Sequence, residues 1–103
     1  MSDIFEVAEG VRYQTSDETR IYTVNTALLV NSPTNTNAVV YDESVDADVT
    51  NVCMNTGSFD ETNNVITLKP LTALTKDHSY RIEFTFDVGT SIYERYFRVK
   101  CTR

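Results

Sequence analysis

The chain has 103 residues, 41% of them hydrophobic, and sets fifteen acidic side chains against nine Lys and Arg for a formal net charge of −6. That length suits one domain, 1–103, whose core buries roughly 60 to 65% of the surface exposed by the unfolded chain and can do without a metal or disulfide staple. An acidic surface repels phosphate backbones and the one basic run (Arg95, Arg98, Lys100, Arg103) is short and interleaved with strand residues, so nucleic acid is excluded as an expected partner.

The first residues, Met-Ser-Asp-Ile-Phe-Glu, have neither a basic n-region nor an apolar h-region, and no window approaches eighteen apolar residues. The expectation is a chain without a signal peptide, cytoplasmic during synthesis, with no membrane partner. Residues 3–13 show two alternating pieces, Phe5/Val7 and Val11/Tyr13, broken at Gly10. They predict an edge strand with a glycine bulge. Thr15 to Glu18 is a turn cluster. Residues 20–30 are rich in β-branched and aromatic types and free of Gly and Pro, which predicts a long strand near a sheet centre, ended by the Asn31 to Asn35 segment with Pro33.

Ala38 to Tyr41 predicts a short strand, followed by the acidic run Asp42-Glu43-Ser44-Val45-Asp46-Ala47-Asp48. Val49 to Met54 predicts another strand, with Val52 and Met54 on the face opposite Cys53. Asn55 to Ser58 and Glu61 to Asn64 are turn clusters on either side of Phe59, and Val65 to Leu68 is a strand stopped by Lys69-Pro70. From Tyr80 the apolar residues Tyr80, Ile82, Phe84 and Phe86 alternate with Arg81, Glu83, Thr85 and Asp87, and alternation resumes with Phe97, Val99 and Cys101 against Tyr96, Arg98 and Lys100. This is a long antiparallel hairpin. Side-chain pairing favours the register with Phe84 opposite Phe97, Ile82 opposite Val99 and Glu83 opposite Arg98, leaving a four-residue loop from Gly89 to Ile92. The register two residues away sets Arg81 against Arg98. About seven strands at eight- to twelve-residue spacing predict an all-β sandwich or barrel.

Leu74-Thr75-Lys76-Asp77-His78-Ser79-Tyr80, a leucine six positions before a tyrosine that opens an alternating strand, resembles the tyrosine corner of immunoglobulin-like and fibronectin type III-like sandwiches. There the tyrosine hydroxyl returns to the upstream backbone while its ring packs in the core; Tyr80 and Leu74 are the structural residues this implies. The chain has no Trp, and the position two after Tyr80, where antibody domains keep a cysteine, is Ile82. The wider pattern over 60–101, an S-Y-R-I-E-F-T-F strand, a Gly-containing turn and an R-Y-F-R-V strand, resembles short Ig-like proteins encoded among virion genes of tailed viruses and prophages. The implied fold is an Ig-like antiparallel β-sandwich of about seven strands. The implied role is a non-catalytic structural or protein-interaction module, a small virion component whose partners are proteins, its own copies or other virion proteins.

Residues able to carry other chemistry are few. His78 is the only histidine and sits in a polar turn, which reads as a solvated loop residue. Cys53 and Cys101 are the only cysteines and read as buried thiols, with a single bridge closing residues 54–100 as the alternative. A Cys53–His78 nucleophile pair would lack any local signature. Gly-rich phosphate loops and the common hydrolase motifs are missing, and the expectation is a non-enzyme. Asp42, Glu43, Asp46 and Asp48 could offer oxygens to Ca²⁺. As an EF-hand loop from Asp46 the run fails at Asn51 and Gly57, so it reads first as a solvated inter-strand loop and second as a weak Ca²⁺ site with no other cofactor. That loop is the one support for the alternative function, a cation- or carbohydrate-binding module. Tyr22, Tyr93 and Tyr96 are candidate interface residues, being tyrosines expected on outward sheet faces.

Overall fold

In a computed structural model, residues 5–25, 33–62 and 64–102 are described, with side chains from residue 12 onward. The elements run β1 (Phe5–Gln14), β2 (Thr23–Asn25), β3 (Thr34–Asp42), β4 (Ala47–Asp48), α1 (Thr50–Cys53), β5 (Asp60–Thr62), β6 (Val65–Thr67), β7 (Ser79–Val88) and β8 (Ser91–Cys101). They form an all-β sandwich of two sheets, ordered β1-β8-β7-β3-β4 and β2-β6-β5. Among the described residues every strand pairing is antiparallel except β1 with β8, which is parallel. The register of β1 shifts between Glu6 and Val11, where Gly10 was read as a bulge.

The core forms between the sheets because β7 and β8 alternate. Ile82, Phe84 and Phe86 are fully buried, Tyr80 is 1% exposed, and Phe97, Val99 and Cys101 join them from β8. Ala38 and Val40 of β3 enter from the same sheet, and Val24, Ile66, Leu68, Leu71, Leu74, Cys53 and Met54 close the core from the other side. The radius of gyration, 13.3 Å, is what a chain of this length gives as one compact body, about 13 Å.

The hairpin takes the register that pairwise reasoning disfavours. Phe84 lies opposite Arg95, Ile82 opposite Phe97, Glu83 opposite Tyr96 and Arg81 opposite Arg98. Two causes decide it. Val88 pairs with Ser91, so the loop is the two residues Gly89 and Thr90, with Gly89 at φ +59°; glycine at the first central position is what a type II′ hairpin turn requires. The Arg81–Arg98 pair is bridged by Glu43, whose Oε2 lies 3.6 Å from Arg81 Nη1 and whose Oε1 lies 3.2 Å from Arg98 Nε. Glu83 adds a contact of 2.8 Å to Arg81 Nε.

Residues 49–54 form a helical turn, not the predicted strand. Asp48 Oδ1 accepts hydrogen bonds from both the Thr50 N–H and the Thr50 hydroxyl, curling the chain before a ladder can form. Cys53 and Met54 are then both buried while Val52 is 59% exposed, a pattern no strand produces. The described part of the predicted 20–30 strand is β2, at an edge of its sheet with β6 in the middle; residues 26–32 lie outside the described residues. β-Branched richness marks a pleated, half-buried surface and does not separate edge from centre. The third strand is longer than predicted, Thr34 to Asp42, because Asn35 takes φ +53° within a register shift between Thr34 and Asn37. Glu61 and Thr62 belong to β5, outside the predicted turn, and Asn64 takes φ +66° just before β6.

Candidate interaction surface

Alternation that sends Ile82, Phe84 and Phe86 inward must send their neighbours outward. The outer face of the five-stranded sheet therefore carries Ser79, Arg81, Glu83, Thr85 and Asp87 from β7 and Lys100, Arg98, Tyr96, Glu94 and Ile92 beside them from β8. β3 adds Tyr41 next to Arg81, Val39 next to Glu83 and Asn37 next to Thr85. Tyr13 of β1 lies next to Lys100. The rings and cations are fixed against each other: the Arg81 guanidinium lies 5.6 Å from the Tyr41 ring centroid and that of Arg98 lies 5.3 Å from the Tyr96 centroid. Val39, Tyr13 and Ile92 are exposed on this face, and no described element covers it.

Of the three tyrosines assigned to an interface, Tyr96 alone stands on that face. Tyr22 packs inward, its ring 5.3 Å from Phe97 and its hydroxyl donating to Gln14 Oε1 at 2.9 Å. Tyr93 stacks on Phe86 at 5.6 Å, because it occupies the core-facing side of β8 in the observed register. Burial pushes the Tyr22 hydroxyl above its usual pKa, with Arg20 opposing.

At one end of the sandwich Tyr80 receives the backbone it was expected to meet: the Thr75 N–H donates to its hydroxyl oxygen at 2.6 Å, with Leu74 4% exposed beside it. Burial raises the Tyr80 pKa, and the Thr75 N–H bond opposes the rise. His78 is less solvated than a loop histidine. Its Nδ1 lies 2.7 Å from Oδ2 of Asp42, a carboxylate 5% exposed. The pair ties the 75–78 turn to the end of β3, and neighbouring bonds do the same: Ser79 N–H to Ser44 Oγ and Glu43 N–H to Ser79 O.

The four acidic residues assigned to a cation face separate partners. Asp42 accepts from the Ser44 N–H and meets His78, Glu43 bridges Arg81 and Arg98, Asp46 accepts from the Tyr41 hydroxyl, and Asp48 holds Thr50. Among the described residues no group of three or more His, Cys, Asp or Glu is arranged to hold a metal ion. Cys53 and Cys101 are both buried. Burial, reinforced by the Asp42 charge, pushes the Cys53 pKa up to about 11, and its sulfur donates to the Ala73 carbonyl at 3.7 Å. A thiol so placed is protonated at neutral pH and a poor nucleophile.

Two polar residues take structural roles that the sequence reading did not assign them. Gln14, 1% exposed, donates to the carbonyls of Leu71 at 2.8 Å and Glu18 at 3.0 Å and accepts from Tyr22. Glu43 reaches two arginines that are 38 and 55 positions away in sequence (81 − 43 and 98 − 43). The alternation of β1 offered a clue to the first, since it sets Gln14 on the same face as Cys101. Among the described residues no helix is long and apolar enough to cross a membrane. Set against protein-family models, curated proteins and solved structures, the chain finds no match.

Proposed function

We propose that the chain is a non-catalytic interaction module, an immunoglobulin-type sandwich serving as a small component of a phage or prophage particle and docking on protein through the outer face of its five-stranded sheet. The observation that carries this is the uncovered face itself. Tyr96, Tyr41, Arg81 and Arg98 stand on a rigid ladder, locked by ring–cation contacts and by Glu43 and Glu83. Aromatic residues and arginine dominate interface energetics, and side chains already fixed lose little entropy on docking. The immunoglobulin-type assignment is supported by the first strand lying parallel to the last and by the Thr75–Tyr80 hydrogen bond. The particle assignment is supported by the resemblance over residues 60–101.

Co-sedimentation with particles assembled in the source cells tests it. The parent should travel with the particles, and Tyr96→Ala with Val39→Asp should not, while Val52→Asp, on the exposed side of α1, should travel as the parent does. A parent left in the supernatant overturns the particle role. Face variants that still sediment overturn the surface.

A further inference from the structure

The charges that β7 and β8 themselves carry on the outer face are sorted along the hairpin, and Glu43, lying over Arg81 and Arg98, offsets part of the positive end without reversing it. In row order from one end, β7 and β8 present Ser79 with Lys100, Arg81 with Arg98, Glu83 with Tyr96, Thr85 with Glu94, and Asp87 with Ile92. The three cations of these two strands fall in the first two rows and their three anions in the last three. The Glu94 carboxylate has no ion pair among the described residues, and Ile92 beside it is 72% exposed.

We infer that this face binds a second copy of the chain, with the two hairpins antiparallel across a two-fold axis running crosswise to the strands through the Glu83–Tyr96 row. The inference rests on the reading of the face as an interaction surface and names its partner. Such an axis sets each row against its mirror: Arg98 meets the partner's Glu94, Lys100 approaches the partner's Asp87, and Tyr96 meets the partner's Tyr96 at the centre. Parallel hairpins would instead set the cationic rows against each other. A self-complementary surface is what a two-fold dimer requires, and opposite charges in register both favour this arrangement and disfavour the other. Glu83, facing its own copy, is compensated by the Arg81 contact at 2.8 Å. The face is about 33 Å long by about 20 Å wide from strand rise and spacing. Both copies together would bury about 1,200 Å², the lower limit for a specific stable interface. The dimer is therefore weak and sensitive to salt.

Analytical ultracentrifugation of the full chain decides it. The parent should dimerise at about 50 mM salt and weaken at least about tenfold at about 500 mM, as charge pairs are screened. Glu94→Lys alone and Arg98→Glu alone should each be monomeric. Their equimolar mixture should form a heterodimer, because both interface pairs are then opposite in charge again. Asp17→Lys, the same charge change in an exposed turn off the face, should dimerise like the parent. A monomeric parent, a dimeric Glu94→Lys, a mixture that stays monomeric with both variants folded by circular dichroism, or a monomeric Asp17→Lys each overturns the inference. If Arg98→Glu does not fold, the contrast of Glu94→Lys with Asp17→Lys decides alone. A monomeric parent whose Tyr96→Ala and Val39→Asp variant loses particle binding overturns self-association and leaves the proposed function standing; a dimer that never binds particles does the reverse.

Discussion

Tyr80→Phe isolates one hydrogen bond from everything else its side chain does. The ring is 1% exposed and stays in place, so no packing is removed; what disappears is the oxygen that accepts from Thr75 N–H at 2.6 Å. A net intramolecular hydrogen bond contributes about 1 kcal/mol, and a donor stranded away from water costs up to about 3 kcal/mol. Thr75 is an exposed residue and water can reach its N–H once the oxygen is gone, which holds the cost to the lower figure. With a urea slope of about 1 kcal/mol per molar, the midpoint should fall by about 1 M, and the melting temperature by roughly 4–8 °C. Tyr80→Ala, which empties the site as well, should cost about 3–5 kcal/mol. A Tyr80→Phe midpoint within about 0.2 M of the parent, a small fraction of that slope-derived shift, would show that the corner bond adds nothing and that the ring alone holds the end of the sandwich.

Gln14→Leu keeps the volume near constant but removes two donated bonds and one accepted bond; a loss of about 2–3 kcal/mol in urea is expected, and Tyr22→Phe should then cost less in the Gln14→Leu background than in the parent. Glu43→Gln removes the carboxylate that bridges Arg81 and Arg98. Because all three side chains are a quarter to two-fifths exposed, the loss should be about 0.5–1 kcal/mol and should shrink with added salt. Asp48 is held below the usual carboxylate pKa by its bonds to Thr50, the side-chain bond first. A depressed folded value means stability that is present above the unfolded pKa of about 3.9 and lost as pH falls through the folded value. The stability gap between parent and Asp48→Ala should thus be open at neutral pH and close in acid; a gap that stays constant contradicts a stabilising role for the Thr50-to-Asp48 bonds. Cys53 has the opposite sign: with a folded value raised to about 11, its contribution is present below the unfolded thiol pKa of about 8.5 and is lost as pH rises toward the folded value. Cys53→Ala should flatten the alkaline limb of a pH–stability curve, and the native parent should react with a thiol reagent at mildly alkaline pH far more slowly than the unfolded chain.

What the sequence made legible was local. The alternation from Tyr80 to Phe86 fixes which residues face inward whatever the partner strand does, and the Leu74–Tyr80 spacing places a hydroxyl and a backbone N–H five positions apart, within one turn's reach. The glycine in the predicted 3–13 strand likewise announced an irregularity through its own missing side chain, and the register of β1 shifts between Glu6 and Val11. What stayed hidden depended on distant chain. Nothing near His78 signals that the buried partner is Asp42, thirty-six positions earlier, and nothing near Val49 to Met54 outweighs β-branched content except the two bonds from Thr50 to Asp48 that turn the chain before it can pair.

The hairpin register shows why the two kinds of information conflict. Judged on its own two strands, the pairing of Arg81 with Arg98 is unfavourable by several tenths of a kcal/mol, and a reader confined to those strands rejects it. The turn pulls the other way, since two residues with glycine first match the twist of the strands and four would leave the last pairs unmade. A third strand settles the contest: β3 ends beside β7 and carries Glu43 over both guanidinium groups. The repulsion that argued against the register becomes a three-member charge network. The same register sets Tyr96 beside Glu83 and leaves Glu94 two positions from Tyr96 on an open face, so one long-range carboxylate underlies both the stability of the hairpin and the surface it presents.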